Sequence, residues 1–146
     1  MSEPNVVKGS CLCKAVSLST TNVNNEVGAC HCRMCRKWGG SSFLAIECGS
    51  ELNFTGEEHI TVYQSSEWAE RGFCKLCGSH LFYKLKLNNH YYVPVGIFDN
   101  REELVFDHQI FIDEKPAYYS FANETKKMTG AEVIAMFASS DDATGS

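Results

Sequence analysis

No stretch of the 146 residues approaches the roughly eighteen consecutive apolar side chains that a membrane-spanning helix requires. The opening MSEPNVVKGS also lacks the apolar run of a secretory leader. The expectation is a cytoplasmic protein with no membrane partner. Basic residues are scarce as well: Lys and Arg number 13 against 18 Asp and Glu, a formal charge of −5. Binding to a nucleic-acid backbone needs clustered Lys and Arg in excess, so that class of partner is disfavoured. Internal repeats and long charge runs are missing too. Length and a 44% hydrophobic content fit one soluble domain with a sizeable core.

Cysteine is what the chain has in quantity: eight, at positions 11, 13, 30, 32, 35, 48, 74 and 77. In a secreted chain these would suggest four disulfides, whereas a reducing cytosol keeps thiols available for metal or catalysis. Spacing favours the second reading. Cys11 and Cys13, like Cys30 and Cys32, are one residue apart, which in an extended strand points both sulfurs to one face about 7 Å apart. That is a poor start for a mutual disulfide, and with a local bend it suits two ligands on one metal.

Cys74 and Cys77, followed by Gly78 in FCKLCGSHLF, have the form of a zinc knuckle: a tight turn presents two thiolates, and the glycine lets backbone N–H groups approach the sulfurs. Cys11 and Cys13 supply the second pair for a closed tetrahedral structural site. Such a site would join the start of the chain to a segment sixty residues later, and thiolate–zinc binding of order 10 kcal/mol would become part of the folding free energy. Cys30, Cys32 and Cys35 remain. Three protein ligands with one open position is the general arrangement of catalytic zinc. An all-thiolate zinc is a weak Lewis acid that favours a soft donor, so a thiol substrate fits best.

Between these motifs the chain reads mostly as short strands. KAVSLST alternates, SFLAIEC is β-rich, and ELNF, ITVY and HQIFI are bounded by turn residues. HLFYKLKL and HYYVPVGIF flank Asn88-Asn89, a hairpin turn, which puts Pro94 at an edge or bulge. Only TGAEVIAMFA (129–138) resembles a helix, with Thr129 as its cap. The last eight residues, SSDDATGS, read as a disordered tail.

The segments GSCLCKAV, GACHCRMCRKWGGSSF, RGFCKLCGSHLFY, VPVGIFDN and HQIFIDEKPAYYSF resemble, in order and spacing, the glutathione-dependent formaldehyde-activating (Gfa-type) family, which also includes centromere protein V. The resemblance implies a mainly β fold of the Mss4-like (β-tent) type, with small antiparallel sheets stapled by a structural zinc and a short C-terminal helix. It implies a Gfa-type zinc domain over 7–122, beyond which the residues themselves read as a C-terminal accessory segment over 123–138 and a disordered tail over 139–146. Two zinc ions per chain are implied: a structural one on Cys11, Cys13, Cys74 and Cys77, and a catalytic, labile one on Cys30, Cys32 and Cys35. The implied activity is a carbon–sulfur lyase reaction, condensing glutathione with formaldehyde to S-(hydroxymethyl)glutathione. The alternative is a non-enzymatic, zinc-stabilised protein-interaction module of Mss4-like fold. Edge strands in such folds also invite pairing into a homo-oligomer.

Other residues are read more plainly. Arg33, Arg36 and Lys37 either receive the carboxylates of a ligand or form a solvated basic loop. His31 lies between two ligands, where adjacent positions point apart, so a supporting or exposed role is expected for it. His59, His80, His90 and His108 are read as structural, and Cys48 as core. Trp38 with Gly39 and Gly40 reads as a turn beside a core tryptophan. Tyr91-Tyr92 and Tyr118-Tyr119 each place one ring in and one out, and Asp99 belongs to a turn.

Overall fold

The computed structural model describes residues 6–22, 24–99 and 101–144, with 138–144 described in backbone only. Contacts within the chain group it into two units, residues 1–25 with 45–104 and residues 26–44 with 105–146. The architecture is mainly β, with a C-terminal helix, as expected.

In the first unit, β1 (Val7–Ser10) and β2 (Ser17–Thr20) form an antiparallel pair that β5 (Asn53–Thr55) extends, with Gly9 opposite Leu18 and Leu18 opposite Phe54. The remaining strands form an antiparallel meander. β6 (Ile60–Tyr63), β7 (Ala69–Cys74), β8 (His80–Leu85) and β9 (His90–Pro94) pair in chain order, and β4 (Phe43–Glu47) adds to β9 through Ala45, Ile46 and Glu47. Period-two alternation carries Leu18, Ile46, Leu81 and Val93 inward, each no more than 3% exposed.

The hairpin between β8 and β9 turns at Asn88-Asn89 as expected: Asn89 has φ 61° and Asn88 Oδ1 accepts the His90 N–H at 3.0 Å. Pro94 departs from expectation. It lies on an interior strand, tolerated because it is the last residue of β9, and the ladder to β8 has already stopped at Tyr83–Tyr92. A one-residue irregularity near Gly72 lets the Phe82 ring lie where a Cβ on that glycine would be.

In the second unit, β3 (Glu26–Cys30) buries Val27 and Ala29 and runs parallel to β10 (Val105–Ile110). β10 is in turn parallel to β11 (Lys126–Met128). The expected uniformly antiparallel pairing therefore fails at these two pairs. Residues 111–125 are long enough for the crossover a parallel pair needs, and β3 and β10 are too distant in sequence to form a hairpin.

α1 (Arg33–Gly39) was not anticipated; its seven residues are too few to show an apolar period. Its caps define it. The Cys32 sulfur accepts the Cys35 N–H at 3.4 Å, and Gly40, at φ 91°, donates its N–H to the Arg36 carbonyl. α2 (Gly130–Thr144) opens with the expected Thr129, whose hydroxyl accepts the Glu132 N–H while Glu132 Oε1 accepts the Thr129 N–H. It continues through much of the segment expected as a tail, because the next helix breaker after Gly130 is Gly145. Residues 145 and 146 lie outside the described residues.

One position in the first unit tests this packing. Gly56 has φ 84°, and a Cβ there would overlap the Ala15 carbonyl oxygen, whereas Gly96 faces open space. Gly56→Ala is expected to lower stability by roughly 2–4 kcal/mol. Gly96→Ala is expected to change it by less than about 0.5 kcal/mol. Urea unfolding midpoints at unchanged slope check both.

Candidate metal centres

The first centre lies wholly within the first unit. Between β1 and β2 the chain closes on itself: the Cys11 N–H donates to the Val16 carbonyl at 3.0 Å, and the Lys14 N–H to the Cys11 carbonyl at 3.1 Å. Lys14 takes φ 69° to complete the loop, and the Val16 N–H donates to the Cys11 sulfur at 3.4 Å. Between β7 and β8 a second loop does the same. The Gly78 N–H donates to the Cys74 carbonyl at 2.7 Å, with Gly78 at φ 81°. Each loop thereby turns two sulfurs the same way.

The Cys11 and Cys13 sulfurs are 3.6 Å apart, those of Cys13 and Cys74 are 3.8 Å apart, and all four including Cys77 lie within 4.8 Å of one another. A tetrahedron with metal–sulfur bonds of about 2.3 Å has edges of about 3.8 Å, so the donor set fits a four-thiolate ion in size as well as chemistry. None of the eight cysteines forms a disulfide. Ser79 stitches the two loops together: its hydroxyl accepts the Leu12 N–H at 3.0 Å and sits 3.2 Å from the Cys77 sulfur. Hydrogen bonds from Ser79 hold the Cys77 thiol down at about 5.

The second centre lies wholly within the second unit and is local. Cys30 ends β3, Cys32 caps α1, and Cys35 is buried one turn into α1. Their sulfurs all lie within 4.8 Å of one another, and among the described residues no His, Asp, Glu or further Cys joins them. Cys30 and Cys32 are half-buried and Cys35 is 4% exposed, so the open side of the group faces out past the first two. Hydrogen bonds from Cys30 and Cys35 pull the Cys32 thiol down to about 2, and the same bonds, with burial, push Cys30 up.

The cations beside it part company. The Arg36 Nε donates to the His31 carbonyl at 2.9 Å, which aims a half-buried guanidinium along the turn. Arg33 and Lys37 have exposed side chains. His31 itself is fully buried: Nδ1 lies 2.6 Å from the Tyr119 hydroxyl and Nε2 2.8 Å from Gln109 Oε1. Burial lowers its basicity. Both nitrogens are committed to other partners, which removes His31 as a ligand, as expected. Tyr119 and Gln109 are site neighbours that sequence reading missed. The sole signal was the Tyr118-Tyr119 pair, read as packing; Tyr118 is 78% exposed and Tyr119 half-buried. Cys48 is 1% exposed and burial raises its thiol to about 12, which fits the core role expected.

A family profile described as glutathione-dependent formaldehyde-activating enzyme matches residues 6–114. The chain belongs to this family. A curated relative in Schizosaccharomyces pombe, named an uncharacterized lyase, is 38% identical over 128 residues, covering 87% of this chain and 93% of its own. A crystal structure of a Rhodobacter sphaeroides protein, 30% identical, superposes with a TM-score of 0.56 over 64% of this chain and 88% of its own. Both cysteine groups of this Gfa-type chain fall inside the matched segment. Among the described residues no helix is long and apolar enough to cross a membrane.

The two centres differ in what losing them does. Cys74→Ser removes a ligand that ties segments sixty residues apart, so both the ion and the fold are expected to be lost, given binding of order 10 kcal/mol. Cys32→Ala is expected to lower the metal content and retain the fold. Metal analysis and circular dichroism on anaerobically purified protein check both outcomes.

Proposed function

We propose that this chain is a cytoplasmic zinc-dependent carbon–sulfur lyase acting on a thiol adduct, with glutathione and formaldehyde giving S-(hydroxymethyl)glutathione. The observation that carries the reading is the convergence of Cys30, Cys32 and Cys35 with no fourth protein donor among the described residues. Cys30, Cys32 and Cys35 would hold a zinc ion, which when bound would supply Lewis acidity that keeps a substrate thiol deprotonated near neutral pH. The four-sulfur group, being closed, is assigned the structural zinc.

The net reaction is balanced by one proton. The thiol sulfur bonds to the aldehyde carbon, the carbonyl π pair moves onto oxygen, and the proton released by the thiol ends on that oxygen. The protein's own contribution is placement, since this addition also proceeds unaided. Arg36, tethered through Nε and left with its terminal nitrogens for a ligand, is assigned a glutathione carboxylate. Arg33 and Lys37 form an exposed basic rim that attracts the same anionic thiol.

Wild type is expected to speed the approach to equilibrium between glutathione, formaldehyde and adduct, measured by exchange NMR, and Cys32→Ala to leave the spontaneous rate. Equal rates for the two proteins would remove the lyase reading and leave a zinc-stabilised interaction module. Arg36→Glu is expected to raise KM for glutathione about ten-fold or more, with a smaller effect for a thiol lacking carboxylates. Parallel losses for both thiols would argue that Arg36 only supports the turn.

A further inference from the structure

His31 stands between two of the three converging cysteines, yet both ring nitrogens point elsewhere. The hydrogen bonds run in one direction. Gln109 Nε2 donates to the Thr125 hydroxyl at 2.9 Å, so Oε1 faces His31 and must accept from Nε2–H at 2.8 Å. The imidazole is then the Nε2–H tautomer, and Nδ1 accepts the Tyr119 hydroxyl proton at 2.6 Å. Tyr119, His31, Gln109 and Thr125 thus form one hydrogen-bonded chain.

The chain links the 115–121 loop, the Cys30–Cys32 turn, β10 and the approach to β11, all within the second unit. Its far end is itself anchored. Lys115 Nζ donates to the carbonyls of Pro116 and Tyr119 and to the Ser120 hydroxyl, closing the loop that carries Tyr119. The backbone adds two ties: the His31 N–H donates to the Ile110 carbonyl at 3.1 Å, and the His31 carbonyl accepts from Arg36 Nε. His31 is therefore held at four points on side chain and backbone. The residues between the cysteines of the four-sulfur loops are exposed instead, Leu12 at 87% and Leu76 at 60%, and Ser79 ties those loops from beside Cys77.

We propose that His31 and Tyr119 are positioning residues for the three-thiol group: their buried hydrogen-bonded chain holds the Cys30–Cys32 turn in its ligating shape, so that metal enters and leaves without refolding of the unit. This rests on the reading of those thiols as metal ligands. Bonds around a ligand that fix its orientation govern metal affinity even though they never touch the ion.

The probe is cobalt(II), titrated into protein whose second centre has been emptied by brief chelation, with thiolate-to-cobalt charge-transfer absorption as the signal. Tyr119→Phe keeps the ring against Phe121 and deletes one hydroxyl. It is expected to weaken cobalt binding about ten-fold and to speed its loss to chelator, with zinc at the four-sulfur centre and the far-ultraviolet dichroism unchanged. His31→Gln, which retains an acceptor and a donor, is expected to bind more tightly than His31→Ala. Wild-type affinity and exchange rate in Tyr119→Phe would overturn the proposal, and this variant decides if His31→Ala does not fold. Should wild type take up no more cobalt than a Cys30/Cys32/Cys35 triple alanine variant, the ligand assignment itself falls, and this proposal with it.

Discussion

Four sulfurs drawn from two loops about sixty residues apart converge within 4.8 Å of one another in the first unit, and that convergence is the constraint around which its loops are shaped. Neither loop is regular structure. Each turns through a left-handed residue, Lys14 in one and Gly78 in the other, and each spends backbone hydrogen bonds on shaping itself rather than on a ladder. Such loops are poor sources of stability by themselves. A cation shared by them would convert their irregularity into a long-range link without requiring a larger apolar core. Ser79 completes the link in protein atoms, joining Leu12 of one loop to Cys77 of the other.

The three-sulfur group is built on the opposite plan. All its donors come from a six-residue stretch that runs from the end of β3 into α1, so little chain entropy opposes their convergence. The cost falls instead on orientation, since neighbouring residues on a turn tend to point apart. Cys32 resolves this by acting as cap and donor together, its sulfur accepting a helix N–H while Cys35 comes round one turn later. His31, turned inward between them, fills the space they leave.

Cysteine spacing made both groups legible in the sequence, because CxC, CxCxxC and CxxCG are local patterns whose geometry follows from backbone periodicity. The β character and the Asn88-Asn89 turn were legible for the same reason. What escaped was non-local or too short to show a period. The parallel pairing of β10 with β3 and β11 depends on where a long connection returns, which no residue in β10 announces. α1 is defined by a sulfur cap and Gly40 rather than by apolar spacing. Tyr119, Gln109 and Thr125 are ordinary residues in ordinary strands and loops, and only the fold reveals that the first two meet His31 and that Thr125 backs Gln109.

Confinement of the reactive thiols to a single short β-to-α junction separates chemistry from architecture within this chain. An insertion, deletion or replacement in that junction can abolish the three-thiol group while leaving the four-sulfur group of the first unit untouched. Descendants of such a gene can therefore shed reactivity in one step and persist as folded scaffolds, and family membership alone does not certify a working catalyst.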